Sequence, residues 1–563
     1  MKLRITYPFL LLAILISAGS ITVKAQVQSQ GKILGDFRSL KAADVIYLLP
    51  PLHPLRVEAC MQENVERYDK PLEFAIERPV SISPATQGIW TQMDDYRVWR
   101  AHIITSGALS VGLIFDAYHL MEGVKLMIYT PDRSHIKGAY TSVNNKSSGI
   151  FAVGHIPGEE LIIELQVPVQ MEEYGELSLG SLSHAFLPVA VSGTKDGRFG
   201  RSQPCEIDIS CEEGSHWQLE KRSIVRLYTV TQYCTGVMLN NTAYNGDPLL
   251  LTAQHCIENE SRAETSVFVF DYESPSCFGG DGSVAKSISG SELLSVGDSI
   301  DFSLVRLSLP PPEDFDVFYA GWDLTTSPQG PTTTIHHPQG DVKKISFDFE
   351  APDSTFLKSQ IDPQFWDLLS SSFWWVKQWD IGSTEPGSSG SPLFTPSSHV
   401  IGVLSWGSAK CGDSIGYDAG ADRVEYDKEI NVDDYYTRLD KAWDYRSDSA
   451  HSLKRWLDPA GTGVRYIHGL HPGSVPENRP VLGSDFTIWP NPAKSELWFS
   501  ARSGQYGNAK FRIFDLRGRL LQEGEAELPG PVLLNVNALP GGLYLLSIKL
   551  GSEQEILKFV KTQ

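Results

Sequence analysis

Gly387-Ser388-Ser389-Gly390-Ser391-Pro392 decides how this chain is read. Glycines on either side of a serine pair free the backbone to turn tightly, so the amides of Gly387 and Ser389 can aim at one point. A serine hydroxyl is a poor nucleophile until a base takes its proton and donors receive the charge on the attacked oxygen. The loop offers the donors, and the base must come from elsewhere in the chain. An isolated copy of such a turn is an ordinary flexible loop; its weight comes from what precedes it.

Upstream, Leu250-Leu251-Thr252-Ala253-Gln254-His255-Cys256 is an apolar run that delivers a histidine to its end. Ser299-Ile300-Asp301-Phe302-Ser303-Leu304-Val305-Arg306-Leu307 places an aspartate at the start of a second apolar alternation. His255 would take the proton from Ser389 and hand it to the leaving amine, while Asp301 would fix the imidazole tautomer. The chain order His, Asp, Ser is that of the chymotrypsin-like arrangement, not of subtilisins or α/β-hydrolases. Each residue alone would be read as structural. Together, inside a cysteine-rich β segment, they point to a serine endopeptidase with Gly387 and Ser389 as its oxyanion donors.

The 563 residues, 41% hydrophobic and 21% charged, suffice for several domains. A net charge of -20 argues against nucleic acid as a partner. Lys2 and Arg4, the apolar run Phe9 to Ala18 and Val23-Lys24-Ala25 form an export signal over residues 1–25. That run is too short to span a membrane comfortably, and no other stretch is long enough, so no transmembrane segment is expected in the mature chain. Of the seven cysteines, Cys205, Cys211, Cys234, Cys256, Cys277 and Cys411 share one segment and Cys60 stands apart. Export favours disulfides, the spacings lack any CxxC pair, and neither a metal nor a cofactor is expected.

Period-two apolar runs, such as Ala108 to Phe115, Val124 to Tyr129 and Leu161 to Val167, make residues 26–201 a β-rich unit without a catalytic constellation. It ends at a basic hinge carrying Lys195, Arg198 and Arg201, a candidate processing site that makes the unit a prosegment. Residues 202–472 alternate short β runs with turns, as in a β-barrel protein, and Ser452 to Leu457 reads as a short helix stopped by Asp458-Pro459. A Pro/Gly-rich linker, 473–483, leads to a small unit of alternating strands, 484–563.

Thr252-Ala253-Gln254-His255-Cys256, Asp301-Phe302-Ser303-Leu304, Ala320-Gly321-Trp322-Asp323, Ile335-His336-His337-Pro338 and Thr384 to Pro392 together resemble the bacterial lysyl endopeptidases of the trypsin-like family. The resemblance covers about 205 to 470, and more loosely the prosegment. It implies a mainly β chain: a chymotrypsin-like double β-barrel flanked by a β-rich prosegment and a C-terminal β-sandwich. It also implies the disulfides Cys205–Cys411, Cys211–Cys277 and Cys234–Cys256, whereas six cysteines alone leave the pairing open. Trypsins have an aspartate where this chain has Ser388, so activation is expected to depend on losing the prosegment rather than on inserting a new amino terminus.

Ser405-Trp406-Gly407 matches the strand that pairs with substrate backbone and walls the specificity pocket. A substrate lysine or arginine buried there must meet a carboxylate. The position trypsins use holds Ser383. The resemblance instead places the carboxylate after Cys411, which favours Asp418, with Asp413 and Asp422 as alternatives. Trp379 lies near an active-site tryptophan of these enzymes, or packs in the core. His336 and His337 are adjacent on a strand, so they face opposite ways and are read as structural.

The last unit pairs Pro490-Asn491-Pro492 with Pro540-Gly541-Gly542-Leu543-Tyr544 and resembles the sorting domain of the type IX (Por) secretion system. That implies passage through the periplasm and across the outer membrane, to the medium or the cell surface, with the secretion machinery as a partner. The expected activity is cleavage of protein or peptide substrates after lysine. Arginine or mixed basic preference and an inactive protease-fold adhesin are the alternatives. Self-maturation would cut after Lys195, whereas a start at Phe199 or Ser202 would indicate an arginine-directed processing protease.

Overall fold

The computed structural model describes residues 31–34, 46–66, 71–188, 201–354, 371–411, 414–418, 423–426, 433–446, 448–472, 486–489, 493–501, 507–515, 519–528, 532–550 and 553–562. The export signal, Lys195, Arg198, Asp413 and Asp422 lie outside these residues.

The alternating runs near the N-terminus are strands: Ser110–Leu120, Lys125–Tyr129 and Glu160–Pro168. They belong to two sheets. One runs Ile46–Leu49, Tyr96–Thr105, Glu160–Pro168, Lys125–Tyr129, Ile136–Tyr140; the other runs Ala75–Ile82, Gly175–Ala185, Ser110–Leu120, Phe151–Pro157. Apolar residues of both, among them Trp99, Val111, Phe115, Leu126 and Ile163, make one buried core. The helix Pro54–Glu66 is not signalled by period-two spacing. It opens on a proline, whose missing amide hydrogen and fixed φ suit the first helical position.

Two largely antiparallel sheets build the middle unit. The first is ordered Ser287–Ser289, Val267–Val269, Ile224–Tyr228, Gln232–Leu239, Leu249–Thr252, Phe302–Leu307, Ser291–Gly297. Its outermost strands are consecutive in the chain across Gly290, whose amide donates to Ser266 and whose carbonyl accepts from Ser308. The sheet therefore rolls up on itself around Val225, Leu227, Met238, Leu250, Phe268 and Val305. The second sheet runs Ile207–Asp208, Lys344–Asp348, Thr332–His336, Pro392–Phe394, His399–Gly407, Gly321–Asp323, Tyr466–Ile467, and Asp434–Arg438 pairs with both His399–Gly407 and Phe373–Val376. Leu239, Leu251 and Leu304 of the first sheet share a core with Trp322, Ile335, Phe394 and Val403 of the second. Leu453 and Leu457, around the short helix Lys454–Leu457, close that core.

The structure joins Cys205 to Cys411, Cys211 to Cys277 and Cys234 to Cys256. Bridges of this kind typically stabilise a fold by about 2–4 kcal/mol each. In the last unit, a three-stranded sheet (Phe486–Trp489, Glu496–Ala501, Val532–Asn535) and a four-stranded sheet (Leu520–Leu528, Gly507–Asp515, Gly542–Leu550, Glu553–Lys561) face each other across Leu497, Phe499, Ile513, Leu546 and Phe559. The chain is thus mainly β throughout its described length.

Candidate active site

Strand register brings His255 and Asp301 together. Leu249–Thr252 pairs antiparallel with Phe302–Leu307, with Thr252 opposite Ser303. Residues just past the end of the one and just before the start of the other therefore meet at one end of the first barrel. Asp301 adopts a left-handed φ of 56°, a conformation aspartate tolerates. Its Oδ1 accepts from the His255 amide at 3.0 Å, and Oδ2 lies 2.8 Å from His255 Nδ1. Ser405 Oγ, from the second sheet, donates to the same Oδ2 at 2.5 Å. Burial alone would raise the Asp301 pKa, but the charge and hydrogen bonds of His255 and the Ser405 hydroxyl outweigh it and hold the carboxyl below the usual range. An ionised acceptor at Nδ1 keeps the ring proton there and leaves Nε2 basic.

Ser389 reaches the same place from the second sheet. Its carbonyl accepts from the Thr235 amide at 2.8 Å, and Sγ of Cys256, the residue after His255, lies 3.8 Å from that oxygen. Thr235 Oγ1 also donates to the Gly387 carbonyl at 3.0 Å and accepts from the His337 amide at 3.1 Å. This threonine seats the loop on the first barrel, a role with no sequence signal beyond its nearness to Cys234. At Gly390, φ is +82°, and a Cβ would lie 2.1 Å from Thr252 Oγ1, so a side chain would push the loop off the barrel. Gly387 has φ of +100°, and neither its amide nor that of Ser389 has an acceptor among the described residues.

Ser388 Oγ accepts from the Glu385 amide at 3.2 Å and lies 2.7 Å from His336 Nδ1. His336 Nε2 is 3.2 Å from Ser346 Oγ, whereas His337 Nδ1 is 2.9 Å from the Asp341 carbonyl. The two rings are fully buried among different neighbours, and burial pushes His336 down to about 3, so it is neutral. A ring nitrogen of His255 and the sulfurs of Cys234 and Cys256 lie within 4.8 Å of one another. Both sulfurs are committed to a disulfide and offer no thiolate to a metal.

Behind the serine loop lies a carboxylate that sequence reading missed. Asp434 opens the strand Asp434–Arg438, with Asp434 opposite Gly407 on His399–Gly407. Its Oδ2 accepts from Trp379 Nε1 at 2.6 Å and from Thr384 Oγ1 at 2.8 Å. A Cβ on Gly407 would stand 1.9 Å from Oδ1, so the glycine leaves that oxygen facing open backbone. Asp434 is 1% exposed, and among the described residues no cation pairs with it. Burial, with help from Asp433, pushes its pKa up to about 7 against the Trp379 and Thr384 hydrogen bonds. Asp433 is held separately by Trp375, Tyr435 and Ser408. Trp406 stacks on Tyr435 at 3.9 Å. Asp418 ends the strand Ser414–Asp418, paired with Arg423–Tyr426; its side chain lies outside the description. An acidic pair opening an aromatic strand, Asp433-Asp434-Tyr435-Tyr436, was the available signal, because strand interiors seldom carry unpaired acids.

The N-terminal unit touches this region. Leu72–Glu73 pairs antiparallel with Gln232–Tyr233, immediately before Cys234. Phe74 is wholly buried and stacks on Tyr233 with ring centroids 4.2 Å apart. Leu72, Phe74, Ala75, Ala152 and Ala185 form a single apolar cluster with Tyr228, Tyr233 and Val267 of the first barrel. Arg201 Nη1 donates to the Pro188 carbonyl at 2.9 Å.

Residues 199–422 match the family model described as lysyl endopeptidase, C-terminal domain, and residues 487–562 match the secretion system C-terminal sorting domain. A lysyl endopeptidase of Pseudomonas aeruginosa is 31% identical over 206 residues, which is 34% of this chain and 44% of that protein. The chain therefore spans less than half the length of this curated relative. Among solved structures, a Glu endopeptidase in complex with MPD is 12% identical, covering 39% of this chain and 86% of its own, with a TM-score of 0.24. Kallikrein-related peptidase 10 is 14% identical, covering 42% of this chain and 96% of its own, with a TM-score of 0.25. Among the described residues no helix is long and apolar enough to cross a membrane.

Proposed function

We propose that the middle unit is a serine endopeptidase that hydrolyses peptide bonds on the carboxyl side of lysine. The observation that carries this reading is the Asp301–His255 hydrogen bond at 2.8 Å beside the Ser389 loop. His255 Nε2 takes the Ser389 proton as Oγ attacks the scissile carbonyl, and the amides of Gly387 and Ser389 receive the oxyanion. Collapse of the tetrahedral adduct transfers that proton to the departing amine and leaves an acyl-serine. Water, deprotonated by the same imidazole, then releases the acid.

Asp434 supports lysine as the residue before the cut. A buried carboxylate without a cation is costly, and a substrate ammonium supplies one. Oδ2 already accepts two hydrogen bonds, so a single oxygen remains toward Gly407. One free acceptor suits the compact point charge of lysine better than the bidentate fork of arginine. Thr384, Trp379 and the strand Ser405-Trp406-Gly407 are the walls of that pocket in this reading. The test is a peptide library varied only before the scissile bond, with fluorophosphonate labelling. Lysine is expected to be preferred by at least about tenfold over arginine, and Ser389 to carry the adduct; equal turnover after both residues would remove the lysine assignment.

Residues 26–201 are then a prosegment held on the first barrel by strand addition at Gln232–Tyr233. Phe74→Ala is expected to weaken this hold by about 2 kcal/mol or more, roughly thirtyfold in affinity. The check is the dissociation constant of the N-terminal piece from Ser389→Ala chains cut in the hinge; an unchanged constant would count against the docking. The sorting-domain match supports export by a secretion system to the medium or the cell surface.

A further inference from the structure

A histidine of the N-terminal unit is built into its seam with the first barrel. His155 lies on the strand Phe151–Pro157 and is 3% exposed. Around it hydrogen bonds to backbone join the two units. The amides of Phe74 and Ala75 donate to the Thr231 carbonyl at 2.9 and 3.3 Å, and Ser289 Oγ donates to the Ala152 carbonyl at 2.7 Å. The ring stands edge-on to Phe74, with centroids 5.1 Å apart, and to Tyr228 of the barrel at 6.2 Å. Gly154 lets the barrel come this close, since a Cβ there would lie 2.0 Å from the Tyr228 hydroxyl and 3.1 Å from Lys137 Nζ.

Hydrogen bonding fixes the tautomer of this ring. Ser183 Oγ donates its only proton to the Val230 carbonyl of the barrel, so toward His155 Nε2, 3.0 Å away, it can only accept. Nε2 therefore carries the ring proton, and Nδ1 accepts from Ser110 Oγ at 3.0 Å. A second proton, on Nδ1, would turn the Ser110 hydroxyl away and add charge among basic neighbours. Lys137 of the strand Ile136–Tyr140 and His184 of Gly175–Ala185 act on the ring, and Arg226 of Ile224–Tyr228 acts in turn on Lys137. Burial raises the Tyr228 pKa, so that hydroxyl is neutral. Among the described residues no carboxylate pairs with His155. Burial first, then Lys137 and His184, push its pKa down to about 3 against the backbone of Ser110.

We propose that His155 is an acid-sensitive latch: it holds the N-terminal unit on the barrel only as the neutral imidazole, so acid loosens the hold once the hinge is cut. Away from the barrel the ring loses the cover of Tyr228, and Ser183 loses the Val230 carbonyl. It then titrates like an ordinary histidine, at about 6.5. Because the docked value lies below the free one, affinity is full above about 6.5 and falls as pH drops from there toward about 3. His184 lies within the N-terminal unit, 2.8 Å from Thr105 Oγ1, so its titration belongs to that unit and not to the seam. Release and turnover are separate steps, since Asp434 regains the charge that a lysyl ligand needs only near neutral pH. The latch rests on the reading of residues 26–201 as a docked prosegment.

The test uses full-length Ser389→Ala chains cut in the hinge by an added arginine-directed endopeptidase. The dissociation constant of the N-terminal piece is expected to be about tenfold larger at about pH 5.5 than at about pH 7.5, and about a hundredfold larger at about pH 4.5. His155→Gln should remove most of this dependence, because glutamine offers one N–H and one oxygen to the same two serines without titrating. If that variant does not dock, calorimetry of wild-type pieces in two buffers decides instead. Release of about one proton per docking event at about pH 5.5 upholds the latch, and release of none overturns it. A constant flat in pH, or a slope that survives His155→Gln, also overturns it. A piece that separates freely even at neutral pH would sink the docked-prosegment reading, and the latch with it.

Discussion

Alanine at position 389 is expected to lower turnover of a lysyl peptide by roughly a millionfold and to abolish fluorophosphonate labelling. The fold should survive, because the contact that seats the residue runs through its carbonyl to the Thr235 amide, not through its hydroxyl. Asp301→Asn should cost roughly ten-thousandfold in kcat with little change in KM. An asparagine has a single carbonyl oxygen for the three donors that now share the carboxylate, and its amide group turns an N–H toward the histidine or Ser405. The imidazole would settle in the tautomer that carries its proton on Nε2, where it cannot act as base. Because Asp301 is held below the usual carboxylate range, protonation of this group will not explain loss of activity between pH 5 and 7. Steady-state kinetics on the processed protein check these outcomes, and an Asp301→Asn enzyme with near-normal kcat would remove the histidine from its proposed role.

Asp434→Asn is the second large effect. A lysine ammonium entering the pocket would lose its counter-charge, a change that costs about 3–5 kcal/mol when one partner of a buried pair is deleted. That is a loss of about a hundred- to several-thousandfold in kcat/KM for lysyl substrates. Reaction with a small fluorophosphonate, which needs no basic side chain, should be nearly unchanged. Burial sets the direction of the pH response: with the free carboxyl raised to about 7, lowering the pH below that point neutralises it. Affinity for lysyl ligands is therefore expected to fall as pH drops through 7 in the wild type and to lose this dependence in Asp434→Asn. Binding of a lysyl product analogue, measured calorimetrically across pH, reads this directly. Full activity in Asp434→Asn would return the specificity carboxylate to Asp418 or its neighbours.

Sequence alone named the groups whose chemistry is local. Glycines flanking Ser389, a histidine at the end of an apolar run and an aspartate at the start of another are recognisable because turn geometry and period-two alternation are short-range constraints. Period-two alternation also marked strands in all three units. It did not reach Asp434 or Thr235, and for one physical reason. An acid in sequence is a solvated turn residue until distant elements strip its water, and here Trp379, Thr384 and Gly407 do so from three separate segments. Thr235 becomes the seat of the serine loop only when Gly390 presses that loop onto the first barrel. Likewise Leu72–Glu73 became a neighbour of Gln232–Tyr233 only through strand addition across two units. The chain's order of residues determined what chemistry is available; burial and packing between remote strands decided which carboxylates are stripped of water and which are hydrogen-bonded or paired.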